Sequence, residues 1–372
     1  MAVAAQGRSA FDSRGRQADS PEKIPARGWM DILWRVFRSI NEDRVLLIAA
    51  GVTYYLLLAL VPSLSAFVSL YGLFNDPATV NAHVNLLSGI VPPGGLEIIK
   101  DQLTRLTSTG KTTLGFTFFI SLVIALWSAS SGMQALFDAM NIAYEEEEKR
   151  NFFVRTGLAL LFTLGAAVTA VIFLGAVVVV PVVLALFHFG AGFDWLIRIV
   201  SYGLMLAVML LAIGVLYRWG PSRKQAKWRW ITPGAVLAVI GIGIVSLLFS
   251  WYASSFSDYN ATYGSLGAVI GLMTWIWLSV TVLIIGAELN SELEHQTARD
   301  STTGSELPMG QRGAFMADHV ASNGDARSGD GESFHNGSGR HRLSLGTLAL
   351  ALPAALVIDW AKRRNSGHRP QR

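Results

Sequence analysis

A run of 29 uncharged residues, from Tyr259 to Ala287, most constrains what this chain can fold into. At 1.5 Å per residue a helix of that length measures about 43 Å, and the hydrocarbon core of a bilayer is about 30 Å thick. The run can therefore cross a membrane with some tilt. Gly264, Gly267 and Gly271 form small steps along one side of it, where a second helix could approach closely. We predict a spanning helix that packs inside a bundle.

Apolar runs of similar length recur along the chain and alternate with short charged segments. Hydrophobic residues make up 52% of the 372 residues and charged residues only 15%, against about 25% charged in soluble domains. The pattern predicts an all-α fold, a polytopic membrane bundle of six transmembrane helices within 45–74, 112–137, 156–187, 195–217, 231–257 and 264–287. The chain contains no cysteine, which excludes disulfides, thiolate metal sites and a cysteine nucleophile.

The distribution of Lys and Arg predicts the orientation. Sixteen of them lie in segments 1–44, 138–155 and 218–230, and three lie in segments 75–111, 188–194 and 252–263 on the opposite side. Lys and Arg are enriched in cytoplasmic loops, so we expect a bacterial plasma (inner) membrane protein with a cytoplasmic N-terminus. Because these residues sit at the ends of apolar runs, we do not expect nucleic acid as a partner.

The segments outside the spans divide the chain into four parts. Residues 1–44 are expected to form a flexible cytoplasmic tail followed by an interfacial amphipathic helix over 28–44, and residues 45–295 the six-span bundle. Within the bundle, 75–111 predicts two short periplasmic amphipathic helices. Residues 296–342 are polar and are expected to be a disordered cytoplasmic linker. Residues 343–372 carry an apolar segment, 343–358, and a basic C-terminus; an interfacial helix and a marginal seventh span both remain open.

Four sequence blocks carry a family resemblance. They are AAGVTYYLLLALVPSLSAFVSLYGLF, LWSASSGMQALFDAMNIAYEEEEKRNF, LYRWGPSRK followed by WITPGAVLA, and YGSLGAVIGLMTWIWLSVTVLIIGAELN. Together they resemble the YihY/BrkB family of integral membrane proteins, which has carried the mistaken label ribonuclease BN. The resemblance covers roughly residues 30–295. It implies a bacterial inner-membrane protein with six spans and cytoplasmic termini, in a family linked to resistance to host killing and suspected of transport.

Polar residues within or beside the spans are the candidates for a substrate pathway. Pro62 should kink or break its helix, and backbone freed in this way is tolerated at membrane depth only inside protein or beside a water-filled cavity. Tyrosines also anchor helices at membrane interfaces, and asparagines also form ordinary interhelical hydrogen bonds, so both alternatives stay open. The pathway candidates are Tyr54, Tyr55, Pro62, Asn141, Tyr144, Arg218, Tyr259, Tyr263, Glu288 and Asn290.

The acidic end of the last span is the most informative part of that set. Glu288, Glu292 and His295 share one helical face, and such a set could bind a metal. We favour a water-exposed helix end without a metal site, with Glu288 as the exception. An acid at the edge of a bundle is expected to pair with a cation, here Arg218 or Arg150. We expect Tyr54, Asn141 and Glu288 to converge on a polar interior.

The sequence favours transport over catalysis. No two of the seven histidines lie within five residues of each other, and GxSxG and P-loop motifs are absent. We therefore expect no enzyme activity, including cleavage of RNA, and no cofactor. The favoured function is a transporter or export component for a lipid or amphiphile, gradient-driven, passive or powered by a partner. The alternative is a scaffold that recruits envelope proteins. The lipid bilayer is the expected partner, and homo-oligomerisation remains open.

Overall fold

The computed structural model describes residues 13–74, 111–187, 191–255 and 265–321, and these residues form helices and connecting loops without a strand. An isolated bridge joins Ala226 to Thr302. The prediction of an all-α fold is confirmed for this part of the chain. The elements are a 3₁₀ turn (Pro21–Lys23), α1 (Ala26–Glu42), α2 (Val45–Phe74), α3 (Lys111–Ala143), α4 (Phe152–Phe187), α5 (Ala191–Trp219), α6 (Trp228–Ser255), α7 (Ser265–His295) and α8 (Phe315–Asp318).

Five helices in the described residues are long and apolar enough to cross a membrane. Their spanning segments are Phe118–Ala143, Phe152–Ala170, Trp195–Trp219, Trp228–Tyr252 and Val269–His295. Helix α2, where the first of the six spans was predicted, contributes a shorter apolar segment, Val45–Ala59. Pro62 lies inside α2 without ending it, because the helix continues to Phe74. The two periplasmic helices predicted over 75–111 lie outside the described residues, apart from Lys111.

Helix α7 occupies the centre of the bundle and packs against α1, α2, α3, α6 and α8. Hydrogen bonds that involve a side chain join it to three neighbouring helices. Trp277 Nε1 donates to the Leu46 carbonyl on α2 at 3.0 Å, Trp275 Nε1 donates to Ser246 Oγ on α6 at 3.1 Å, and Tyr217 on α5 donates to the Leu283 carbonyl at 2.6 Å. Large apolar side chains such as Leu247 and Trp127 point outward and are about two-thirds or more exposed. Such a surface suits lipid as its solvent.

Helices α6 and α7 approach each other closely at a pair of glycines. A Cβ on Gly234 would lie 2.0 Å from the Gly286 carbonyl oxygen, and the Gly234 N–H donates to Asn290 Oδ1 at 2.7 Å. The sequence pattern pointed instead to Gly264, Gly267 and Gly271. Gly264 lies outside the described residues, Gly267 is half-buried, and a Cβ on Gly271 would lie 3.3 Å from the Phe249 ring. The tight contact therefore lies at the opposite end of α7.

Polar segments assemble around the C-terminal end of α7. We call the region formed by residues 13–44, 144–151, 220–227 and 296–321 the polar end of the bundle. The helix predicted over 28–44 is present as α1, which buries Ile32 and Val36 and exposes Leu33 and Phe37. Residues 13–24 pack against it, and Ile24 is buried in a cluster with Leu293. The expectation of a flexible tail before residue 28 is wrong for residues 13–27.

Residues 296–321 are folded as part of the polar end, so the prediction that 296–342 is disordered is wrong for this segment. Its polar side chains form hydrogen bonds with the backbone of the same segment. The Arg312 guanidinium donates to the carbonyls of Ala298 and Leu307, and the Asp318 carboxylate accepts from the Gly310 amide. Composition predicted solvated residues, but these side chains have intramolecular partners. Residues 322–342 and the apolar segment 343–358 lie outside the described residues.

Candidate functional site

The last three turns of α7 carry acidic and amide side chains that are buried. Glu288 is 2% exposed, Glu292 5% and Glu294 0%. The interpretation of this helix end as water-exposed is therefore wrong. Three segments cover the helix end: α1, the 220–227 loop and residues 296–302. The first two are remote from it in sequence, and the third is a polar segment that directly follows it. Buried charges require partners, and the partners define the site.

Glu292 is held by an arginine from α1. Arg35 Nε donates to Glu292 Oε2, and Arg35 Nη2 donates to Gln296 Oε1 at 2.8 Å. The side chains of Arg35 and Glu292 are both less than one-tenth exposed. His295 Nδ1 lies 3.6 Å from the same Glu292 oxygen. The pair fastens the amphipathic helix α1 to the end of the central helix.

Glu294 is held by an arginine from the loop between α5 and α6. Arg223 Nη2 donates to Glu294 Oε1 at 2.6 Å, and Ser301 Oγ donates to Oε2 at 2.6 Å. The guanidinium of Arg223 also lies over the Tyr144 ring, 4.2 Å from its centroid. Both partners of this ion pair are almost completely buried, with side-chain exposures of 1% and 0%. The Arg223 side chain therefore connects its loop to α7 through Glu294 and to the residue after α3 through Tyr144.

Glu288 has a different partner, because it faces another acid. Its carboxyl lies within hydrogen-bonding reach of Asp43, which follows α1. Among the described residues, no N–H or hydroxyl group donates to Glu288 Oε1. Two carboxyl groups can hydrogen-bond each other only when one of them holds a proton. Asp43 and Glu288 therefore form an acid pair, and a hydrogen bond within the pair requires one of the two carboxyl groups to be protonated.

The arginines predicted as partners of Glu288 are engaged elsewhere. Arg150 donates through Nη2 to Glu148 Oε2 at 2.7 Å. Burial raises the pKa of Glu148, but hydrogen bonding from Arg150 outweighs this effect and lowers the pKa to about 2. Arg218 lies over the rings of Trp219 and Trp228. The prediction of a cationic partner for Glu288 is wrong, because these arginines are held by nearer acids and aromatic rings.

The environment of Asp43 makes the acid pair sensitive to pH near neutrality. Burial raises the pKa of Asp43 to about 6, and the negative charge of Glu145 adds to the shift, while the hydrogen bond with Glu288 opposes it. The carboxylates of Glu42 and Glu292 also face this group. An acid with a raised folded-state pKa favours the folded state at low pH, and that contribution is lost as the pH rises through about 6.

We expect Asp43→Asn to weaken the dependence of thermal stability on pH between about 7.5 and 4.5 and to raise stability at about pH 7.5. The neutral amide removes a carboxylate that is repelled by its neighbours at the higher pH. The measurement is thermal unfolding of the purified protein in detergent at both pH values. Glu306→Gln removes an exposed carboxyl and serves as the control. Identical pH profiles for Asp43→Asn and the unsubstituted protein would contradict this role for Asp43.

Three of the predicted site residues meet beside these pairs. Asn141 at the end of α3 is buried; its Oδ1 accepts from the Ser222 amide at 2.7 Å, and its Nδ2 donates to Glu148 Oε2 at 3.1 Å. The Tyr144 hydroxyl is buried and lies beside the Asn290 side chain without a well-formed hydrogen bond. Tyr144 thus lies beside Asn290 and Arg223, and Asn141 contacts the same 220–227 loop through Ser222; we call these contacts the polar network.

The family of the chain follows from sequence comparison. The sequence model described as Virulence factor BrkB matches residues 36–308. This chain belongs to the BrkB virulence-factor family. The match confirms the resemblance noted from the four sequence blocks and extends it beyond residue 295 into the folded segment at the polar end. The matched range includes the three buried glutamates of α7 and the loop that carries Arg223. Arg35 lies one residue before the range begins.

Individual relatives support the same assignment. The ribonuclease-like protein YfkH of Bacillus subtilis (strain 168) is 32% identical over 254 residues, covering 66% of this chain and 88% of YfkH. The UPF0761 membrane proteins of Xanthomonas campestris pv. campestris (strain B100) and Xanthomonas axonopodis pv. citri (strain 306) are each 29% identical over 267 residues. That alignment covers 70% of this chain but only 59% and 60% of the two relatives. No solved structure matches.

The remaining predicted residues of this BrkB-family protein do not join the polar network. Tyr54 and Tyr55 on α2 are exposed, with ring centroids 5.8 Å apart, and Pro62 is half-buried. Tyr54 therefore does not converge with Asn141 and Glu288, because it points outward from the bundle. Tyr259 and Tyr263 lie outside the described residues. Within the described part of the chain, no three His, Asp or Glu side chains are grouped to hold a metal ion.

Sequence reasoning missed three residues that organise the BrkB-family site: Asp43, Arg35 and Arg223. A signal for one of them was present. Arg35 falls between Ile32 and Val36, on the face of α1 that is buried, and a cation in such a position requires an acidic partner. Arg223 and Asp43 lie in connections between helices, where charge is ordinary, and nothing local distinguished them.

Proposed function

We propose that this protein is a membrane transport or export component for a lipid or amphiphile, in which Glu288 and Asp43 exchange a proton during the transport cycle. The observation that supports the proposal is the acid pair itself. Ionisable side chains within spanning helices are costly and mark ion and substrate pathways, including proton relays. Glu292 and Glu294 are neutralised by arginines, which leaves Glu288 as the α7 acid that faces another acid.

The energy source follows from what the sequence contains. There is no P-loop in the chain, so transport by this protein would use a gradient, a downhill substrate or a partner protein. Burial raises the pKa of Asp43 to about 6, so the charge of the acid pair changes when the local pH moves between mildly acidic and neutral. Proton exchange at this pair would therefore couple a pH difference to a rearrangement of α1 against α7.

The proposed setting is the bacterial inner membrane, with six crossings in which α2 supplies the first. The polar end would face the cytoplasm, as the asymmetry of Lys and Arg suggests. The exposed apolar surface of the helices supports a substrate with an apolar part, because such a molecule can reach the protein from within the bilayer. We also propose a second copy of this chain and envelope proteins as partners.

Transport is tested in vesicles with a defined probe. Purified full-length protein is reconstituted into liposomes containing fluorescently labelled phosphatidylglycerol or phosphatidylethanolamine, and movement between leaflets is followed by chemical quenching of the outer leaflet. We expect protein-dependent movement that responds to an imposed pH difference, and we expect Glu288→Gln to abolish that response because an amide cannot exchange a proton. The yield and thermal stability of the variant are measured in parallel.

Glu306→Gln is the matched control, since it makes the same substitution at an exposed acid. It should transport as the unsubstituted protein does. Vesicles in which neither probe moves faster than in protein-free liposomes would contradict lipid transport and favour the scaffold function. Movement that persists in Glu288→Gln with an unchanged response to pH would retain transport but remove the proton role of the acid pair.

A further inference from the structure

We propose that a cavity at the polar end binds the phosphate group of an anionic ligand. The cavity has a volume of about 490 Å³ and lies between the 149–150 loop, the end of α5, the 220–225 loop and Gly313. Among the described residues, five cationic side chains and one tryptophan line it and no carboxylate does: Lys149, Arg150, Arg218, Arg223, Lys224 and Trp219. This site is separate from the Asp43–Glu288 pair and does not depend on the function proposed above.

Acids outside the cavity balance some of this positive charge. Arg150 pairs with Glu148, Arg223 pairs with Glu294, and the exposed Lys149 pairs with Glu146. Arg218 and Lys224 have no acid within salt-bridge distance among the described residues. The cavity therefore carries an excess of about two positive charges, which favours a ligand that brings negative charge.

Arg218 is held in place by aromatic rings. Its guanidinium carbon lies 5.0 Å from the Trp219 centroid and 4.9 Å from the Trp228 centroid, and the two rings are 5.9 Å apart. Stacking occupies the faces of a guanidinium and leaves the N–H groups at its edge available for an acceptor. The guanidinium is thus oriented without an acid.

Two arginines that line the cavity each carry a buried donor without an acceptor. Arg218 Nε and Arg223 Nη1 have no hydrogen-bond partner in the described part of the chain, although Arg223 has a side-chain exposure of 1%. A buried donor without an acceptor is costly, more so when it is charged. An anionic group in the cavity would offer acceptor oxygens to both guanidinium groups, whereas the aromatic rings offer Arg218 none and Glu294 accepts from Arg223 Nη2 and not from Nη1.

Phosphate fits this arrangement better than other anions of similar charge. Its tetrahedral oxygens accept from two arginine edges at once, and arginine matches phosphate geometry through paired N–H groups. Basic pockets between transmembrane helices near the membrane surface bind phospholipid head groups, and tryptophan is enriched at the same depth. A phospholipid head group and a soluble phosphate share this chemistry, and the experiment separates them.

Binding is measured by calorimetry on the full-length protein in a maltoside detergent. The probes are dihexanoyl phosphatidic acid, inorganic phosphate and dihexanoylglycerol, which has the same acyl chains without the phosphate. We expect phosphatidic acid to bind at one saturable site, weakened by salt, and dihexanoylglycerol not to bind there. Arg218→Gln should weaken binding about tenfold or more, the loss expected for one charged hydrogen bond.

The variants distinguish binding from folding. Arg218→Lys keeps the charge and should recover part of the affinity, whereas Arg27→Gln removes an exposed cation outside the cavity and should change nothing. Should Arg218→Gln fail to fold, Lys224→Gln provides the same test at a residue without an acid partner. Equal affinity for inorganic phosphate would assign the site to a soluble phosphate. Binding of neither phosphate probe, or affinities unchanged in both Arg218→Gln and Lys224→Gln, would overturn the proposal.

Discussion

Replacing Arg223 with methionine is expected to destabilise the folded protein by about 3–5 kcal/mol, because it leaves the Glu294 carboxylate buried without a cation. The two side chains are 1% and 0% exposed, so solvent offers Glu294 no compensation. The Ser301 hydroxyl still donates to the carboxylate, but one neutral hydrogen bond does not replace an ion pair. The measurement is thermal and denaturant-induced unfolding in detergent.

The double variant Arg223→Met with Glu294→Met tests whether the loss comes from the stranded charge. Removing both partners of a buried pair is often neutral or stabilising, so the double variant should be clearly more stable than Arg223→Met alone. Lys23→Met provides a control at an ion pair with Asp19, in which both side chains are at least half exposed, and should have little effect. Additive losses from the two single substitutions would show that Arg223 and Glu294 do not interact in the folded state.

The spanning helices could be predicted from the sequence because the reasons for them are local. A helix in a bilayer satisfies its own backbone hydrogen bonds and needs only a sufficient run of apolar residues, and both can be read from one window of sequence. The amphipathic helix α1 was predictable for the same reason. The family could also be predicted from the sequence, because the resemblance rests on contiguous sequence blocks such as the one that forms α7 and contains GAELN.

The burial of the α7 end could not be predicted, because it depends on segments far away in the chain. Arg35 is 257 residues from Glu292, and Arg223 is 71 residues from Glu294. Nothing local to a row of glutamates indicates whether water or a folded segment covers it. The same reason applies to residues 296–321: their polar composition predicts a solvated segment, but Thr297 donates to the Ala18 carbonyl and Arg312 to backbone carbonyls.

Spacing within one helix predicts only part of the helix packing. GxxxG spacing predicts Gly267 and Gly271 as packing positions, and Gly271 does meet α6 at the Phe249 ring; among the described glycines, however, a Cβ has least room at Gly234 on α6, against Gly286 on α7. Gly286 and Gly234 belong to no spaced motif within a single helix, so the contact emerges only when α6 and α7 are placed side by side. The positions that matter are those where a Cβ has no room.

Gly234→Ala is expected to destabilise the bundle by about 3 kcal/mol, the upper end for overpacking a well-packed core. The added Cβ would lie 2.0 Å from the Gly286 carbonyl oxygen and 2.5 Å from the Asn290 amide, so α6 and α7 must move apart. That movement also strains the hydrogen bond from the Gly234 amide to Asn290 Oδ1. Reduced membrane yield and a lower unfolding temperature in detergent are the expected readouts.

Gly243→Ala is the matched control, because it makes the same change on the same helix where a Cβ meets nothing within 4 Å. Alanine is the better helix former, by about 0.8–1.0 kcal/mol in exposed positions, so this variant should be neutral or more stable. Opposite signs at positions 234 and 243 would separate steric exclusion from helix propensity, since propensity alone predicts stabilisation at both. A Gly234→Ala protein as stable as Gly243→Ala would mean that α6 and α7 do not meet at these glycines, and the placement of Asn290 beside Tyr144 would lose its support as well.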